Sequence, residues 1–325
     1  MLPFTAISIP IYVIFVCALI KYRKSELSGA FYTLHISIAV ADLLSLIFCK
    51  LFYKFPVFCG IFPLGYDVAM RYSYFFGKLI MFMFWYSMHV QICGVVVVTI
   101  NRFTALVFPL KHNKIWSKRF LGLMIIGMWL LPLAFSVLVL TTKMELKASL
   151  NSDGELRWYS FDYEDERVET IIFGVSGIWI GIVLNVTLFV MYLIQFIKFA
   201  QNRAALRKSN VAAKTKAYTE LKLALCGFVV FLVLSVLGLI FLRMIAENLF
   251  NDYCRVCIPL YSVFGDINAW ITPYVLLVIS SQTRHCFLNT IGLGRFIKKT
   301  EVVPLTSSVG GTLELRKNSQ HSGRS

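Results

Sequence analysis

The sequence predicts an all-α membrane protein, a bundle of seven membrane-spanning helices with the N-terminus outside and the C-terminus in the cytoplasm. Three observations carry this. Apolar residues make up 58% of the 325-residue chain and charged residues only 15%, too apolar for an ordinary soluble domain. The apolar residues gather into seven runs, each long enough to cross about 30 Å of hydrocarbon as a helix of about 20 residues. The loops between the runs alternate, every second one being dense in Lys and Arg. Backbone groups in lipid must bond internally, which leaves helices or a closed barrel. The alternating ten-residue segments of a barrel are absent from the sequence.

The first span is Leu2–Ile20. It carries no charge before Lys21 and has neither the basic start nor the small-residue cleavage site of a secretory signal. Lys21, Arg23 and Lys24 make a short basic loop. The second span, Phe31–Cys49, contains Asp42, and Lys50, Lys54 and Arg71 flank an outer loop rich in Phe, Pro and Gly. The third, Ser73–Ile100, is longer than the hydrocarbon requires and must tilt or project. The fourth, Phe120–Leu140, holds Trp129 and Pro132. The longest outer loop, Thr141–Val168, is the one strongly acidic segment. The fifth span is Glu169–Ile197, and in the basic loop that follows Glu220 is the only acid. The sixth is Leu221–Leu242 and the seventh Val256–Ser280. Residues 1–283 thus form the bundle, 284–299 an amphipathic helix on the membrane surface, and 300–325 a disordered tail. The cation-rich loops face the cytoplasm, which sets the orientation.

The formal charge of +15 lies between apolar runs, so it suits an anionic leaflet or an acidic partner rather than nucleic acid. Of eight cysteines, Cys17, Cys49, Cys93 and Cys226 sit inside apolar runs as small hydrophobes. Cys59 is a candidate disulfide partner of Cys254 or Cys257, a choice the sequence leaves open. No Walker loop, His-Glu-x-x-His run or nucleophile elbow marks an enzyme, no metal-ligand spacing appears, and no cofactor is expected. An Asn185-Val186-Thr187 sequon lies mid-span, out of reach of glycosylation.

The most informative stretch runs from Asn101 to His112. Arg102 is the first charge after the apolar core of the third span, and an arginine at a span end is costly to bury. Pro109 stops the helix because it has no N–H to continue the ladder. Lys111, Lys114, Lys118 and Arg119 then place this end on the cytoplasmic side.

Seven spans and the run around Arg102 resemble the G-protein-coupled receptor superfamily. Within it the chain resembles the nematode serpentine chemoreceptors, class gamma with its related class V. The pieces are Phe31-Tyr32-Thr33-Leu34, Asn101-Arg102-Phe103 with Phe108-Pro109-Leu110, Ile115-Trp116, and Glu220-Leu221-Lys222. Asn101 stands where rhodopsin-like receptors have an acid, residues 141–168 lack the usual cysteine, and the seventh-span motif is reduced to Asn268-Ala269-Trp270-Ile271-Thr272-Pro273-Tyr274. The resemblance implies a rhodopsin-like bundle in the plasma membrane, the ciliary membrane of a sensory neuron included. It implies a chemosensory receptor that binds a small extracellular molecule and activates a heterotrimeric G protein.

Polar residues inside spans are costly and normally face the bundle interior. By resemblance Asp42 matches the acid in the second span of rhodopsin-like receptors, which implies that it exchanges hydrogen bonds with Asn268 as the bundle opens, with a static contact as the alternative; Asp266 is a further acid inside a span. Arg102 can pair with Glu220 at the inner end of the sixth span. Trp85, Tyr86, His89, Trp179, Tyr261 and Trp270 are candidates to line a ligand pocket, each also readable as packing. Cys286, after the seventh span, is a candidate for palmitoylation. Two other functions fit seven spans: a ligand-gated channel, which in insect odorant receptors has its N-terminus inside, and a small-solute transporter. The sequence shows neither internal repeats nor the paired interrupted helices of alternating access.

Overall fold

The computed structural model describes residues 2–54, 73–150, 156–208, 211–250 and 257–296. Cys59, Cys254 and the 300–325 tail fall outside them, as does the side chain of Cys257. Among the described residues six helices are long and apolar enough to cross a membrane, and Leu2–Tyr22 supplies a seventh apolar helix.

The third span, Ser73–Val107, is the axis of the bundle. It packs against the second, fourth, fifth and sixth spans and is the most buried of the six, whereas the fourth, Lys118–Ser136, is the least. Leu123, Ile126 and Leu130 on the fourth are exposed, an apolar surface that lipid covers. The helix at the end of the third span runs past Ile100 through Arg102 because nothing in Asn101–Val107 breaks it. Pro109 falls just beyond, and Trp116 Nε1 donates to Thr104 Oγ1 at 2.8 Å, folding the connecting loop back on the helix.

Four departures from the expected spans matter. The second span is an α-helix over Ala30–Ser45 that continues as a π-helix over Leu46–Lys54. Lys54 is therefore on a helix, not in a loop. The fifth is likewise broken into Glu166–Gly177, a π stretch Ile178–Leu184, and Asn185–Lys208. The sixth runs as one helix from Val211 to Phe250, because the polar Val211–Glu220 stretch, rich in Ala and Lys, has high intrinsic helix propensity. Residues 141–168 are not simply a loop: Met144–Leu150 (β1) and Leu156–Tyr163 (β2) pair as an antiparallel hairpin, with Met144 opposite Tyr163. Aromatic residues in β2 favour a strand, and Tyr163 is buried against the third span, where its hydroxyl accepts from Trp85 Nε1 at 2.8 Å.

The fifth and sixth spans approach closely through glycine. A Cβ on Gly238 would lie 2.4 Å from Asn185 Nδ2 and 3.0 Å from Gly181 Cα, the small-residue contact that brings two helix backbones together in lipid. Asn185, the residue of the discarded sequon, accepts there from Ser235 Oγ at 2.8 Å. After the seventh span, Cys257–Ile279, a short helix Ser281–Thr290 turns back to pack on the first.

Candidate functional site

Two polar centres lie in the bundle, one near Arg102 and one nearer the hairpin. At the first, Arg102 is only 4% exposed. Its Nη1 donates to Glu220 Oε2 at 2.6 Å, its Nε donates to Asn101 Oδ1 at 3.1 Å, and its guanidinium sits 4.2 Å from the centre of the Phe31 ring. A desolvated cation needs both charge and hydrogen-bond compensation, and the ring face adds a cation–π contribution. Because Asn101 is neutral, the charge is balanced across helices by Glu220 rather than along its own helix. The third, sixth and second spans are thereby tied at one point.

Asp42 is buried, and Tyr12 Oη of the first span donates to its carboxylate. Asn268 Nδ2 donates instead to Gln91 Oε1 at 3.5 Å. Gln91 also interacts with the Asp42 carboxylate, so it stands between Asp42 and Asn268 in this arrangement.

Nearer the hairpin, Lys54 Nζ forms an ion pair with Asp266 and donates to the carbonyl of Ser262 at 2.7 Å. This joins the second span to the seventh. The π stretch that carries Lys54 widens the turn and re-aims the side chains it contains, an arrangement frequent at functional sites. Beside the pair is a cavity of about 30 Å³ lined by Lys54, Met88, Gln91, Tyr261, Asp266 and Asn268, among others. Tyr261 Oη donates to Met88 Sδ at 3.7 Å.

Of the six aromatic and histidine candidates, Trp85 and His89 meet with ring centroids 6.0 Å apart. Phe241 and Phe135 link them to Tyr261 and Trp179, while Tyr86 and Trp270 pack in the cluster around the first and second spans. Tyr261 alone of them lines this cavity. Trp85 is buried and spent on Tyr163, and Tyr86 Oη donates to the carbonyl of Trp129 at 3.1 Å. His89 Nδ1 donates to the Trp85 carbonyl at 2.7 Å, which leaves Nε2 to accept from Ser176 Oγ at 3.2 Å. That histidine ties the third span to the fifth. Trp179 stacks on Phe135 at 6.3 Å, and Trp270 packs against Tyr274 at 6.1 Å, in the cluster around the first and second spans. Lys54, Met88 and Gln91 were not legible as cavity residues. The spacing of Lys50 and Lys54, one helical turn apart after an apolar run, was the signal that the helix continues.

Cys286 is fully buried, and its thiol donates to Glu26 Oε2 at 3.2 Å. His285 Nδ1 lies 3.5 Å from the same oxygen, and Gln282 Nε2 donates to the Glu26 carbonyl. Burial, and then the Glu26 carboxylate, push the Cys286 thiol well up. Acylation requires an accessible thiolate, so it would first have to break this clamp.

Among the described residues no group of three or more His, Cys, Asp or Glu could hold a metal. A family model described as the serpentine type 7TM GPCR chemoreceptor Srv matches residues 2–293. Serpentine receptor class V-1 of Caenorhabditis elegans is 26% identical over 294 residues, covering 89% of each chain. Both matches speak for class V over class gamma, and the family is one of receptors, not of enzymes. A multi-pass bundle of seven apolar helices, a buried arginine tied across it, and a match over nearly the whole length lead to one conclusion: the chain belongs to the serpentine type seven-transmembrane chemoreceptor family Srv.

Proposed function

We propose that this protein is a chemosensory receptor whose hairpin end faces the outside and whose Arg102 end faces the cytoplasm, in the plasma membrane. A small extracellular molecule enters the hairpin half of the bundle. It alters the packing around Lys54, Asp266, Gln91 and Tyr261, and the seventh and sixth spans carry the change to Arg102 and Glu220. Release of that pair opens the Arg102 end to a heterotrimeric G protein, which the freed Arg102 side chain then contacts. Allostery needs two sites and a bistable element that both bias, and the sixth span, packed on the third, fifth and seventh, is that element.

The observation that carries the reading is the Arg102–Glu220 pair. It is largely removed from water and joins two helices far apart in sequence. Arg102→Ala should reach the cell surface and fail to stimulate nucleotide exchange on a co-expressed G protein. Wild-type exchange in that variant removes Arg102 from the mechanism.

A further inference from the structure

A second cavity lies between the second, third, sixth and seventh spans, on the Arg102 side of the first and sharing no lining residue with it. Its volume is about 30 Å³, where a pocket for an organic ligand needs about 300 Å³ or more. Aliphatic side chains, Ile38, Val95, Val98, Val230, Val275 and Leu276 among them, make most of its wall. Three polar side chains interrupt it: His35 of the second span, Cys226 of the sixth and Thr272 of the seventh. His35 is 7% exposed, and neither of its ring nitrogens has a hydrogen-bond partner among the described residues. Two unmet polar atoms at that depth are costly, and protein interiors rarely leave such groups unpaired.

We propose that this cavity is a water site, holding one or two ordered waters that bond to His35 and bridge it to Thr272. A buried water needs about 10–15 Å³ and two to four polar partners, and the volume matches that count. A neutral imidazole supplies one donor and one acceptor, and the Thr272 hydroxyl supplies both. Cys226 Sγ donates to the Val275 carbonyl at 3.9 Å, which leaves its sulfur as a weak acceptor. Among the described residues no charged side chain lines the cavity, so an ion there would be buried unpaired.

The bridge is a third polar tie along one seam of the bundle. Lys54 joins the second span to Asp266 near the hairpin, and Tyr32 Oη donates to Gln282 Oε1 at 3.4 Å at the Arg102 end. His35 lies about one helical turn from Tyr32, between these two ties. Its ring packs edge-on against Phe31 with centroids 4.3 Å apart, and that same ring carries Arg102. By fixing the imidazole, the water holds one side of the Phe31 platform. A consequence rests on the receptor reading above. Cys226 and Val230 of the sixth span close one wall, and Glu220 lies less than two helical turns from Cys226 on the same helix. When the Arg102–Glu220 pair releases, that wall moves and the enclosed water meets bulk solvent.

The test uses the full chain in phosphatidylcholine nanodiscs and hydroxyl radicals, with oxidation of Cys226 followed by mass spectrometry. X-ray pulses generate the radicals from every water, bound ones included, whereas peroxide photolysis generates them only in bulk solvent. The site predicts Cys226 oxidation under X-rays at least threefold that under photolysis, at doses matched on exposed residues. Val230→Ile and Val98→Ile, each adding one methylene to the wall, and His35→Leu, which removes the anchor, should bring the two yields together. Equal yields in the wild type, or an X-ray excess that survives His35→Leu or both filling variants, overturn the site. In Glu220→Gln the photolysis yield at Cys226 should rise at least threefold over wild type. No rise there, with the wild-type X-ray excess intact, upholds the site and overturns its link to the Arg102–Glu220 pair, so the two failures are distinguishable.

Discussion

At the residue scale, the strength of each polar contact depends on how far it is removed from water. The Arg102–Glu220 pair is partly buried, with side-chain exposures of 5% and 18%, so it lies between an exposed pair of at most about 1 kcal/mol and a fully buried one. A bias of about 1–2 kcal/mol corresponds to a factor of about 5–30 in a two-state ratio. Glu220→Gln should therefore raise basal nucleotide exchange by about that factor, measured with the variant at equal surface density; an unchanged basal rate means the pair does not hold the closed state. The Tyr12–Asp42 contact is buried on both sides. Tyr12→Phe removes a donor from the carboxylate, leaving it to Gln91, and should cost about 1–3 kcal/mol, seen as a lower melting temperature in detergent. Replacing both, as Tyr12→Phe with Asp42→Leu, should recover part of the loss, since neither the hydroxyl nor the carboxylate is then left unmet.

At the scale of elements, helices were legible wherever apolar length alone decides, and less so where polar residues continue a helix. Nothing in Val211–Glu220 is apolar enough to be read as a span, yet Ala212, Ala213 and Ala217 sustain the helix that positions Glu220. The π stretches were invisible, because their cause is tertiary. Lys54 has a partner in Asp266 that only the fold supplies. The hairpin was hidden by its acids, which suggested a loop while Trp158, Tyr159 and Phe161 argued for a strand. Gly238 is the element-scale test of the fifth–sixth contact. Gly238→Val must push Asn185 or Gly181 aside and should lower the melting temperature, at a cost of about 1–3 kcal/mol as in other overpacked interfaces. Gly122→Ala, inside the fourth span where a Cβ meets nothing within 4 Å, should not lower it, since alanine is the better helix former. The short terminal helix makes a chemical prediction of its own. Its raised thiol pKa keeps Cys286 protonated at pH 8, so alkylation by N-ethylmaleimide should be slow there and accelerate in Glu26→Ala, as followed by mass spectrometry. Fast alkylation of Cys286 in the wild type would show that the clamp is open in solution.

At the scale of the whole molecule, span number was readable because the bilayer imposes a length on every helix, and family because motif residues such as Arg102, Pro109 and Trp116 stand in order. The candidate site was readable only in part. Arg102 and Glu220 carry charges that had to find partners at the same end of the bundle. Aromatic residue type does not separate packing from ligand contact, because Trp85, Tyr86 and Trp179 serve hairpin and helix packing as readily as a ligand. The polar cavity depends on Gln91, Asn268 and Tyr261 meeting from three helices, a relation with no local signature. The central claim is that the chain crosses the bilayer seven times, so that its two ends lie on opposite sides and a signal must pass through moving helices. Epitope tags at Met1 and after Ser325, stained in cells before and after permeabilisation, test it most directly. The account predicts staining of the first tag on intact cells and of the second only once the membrane is opened; both tags on the same face would contradict it.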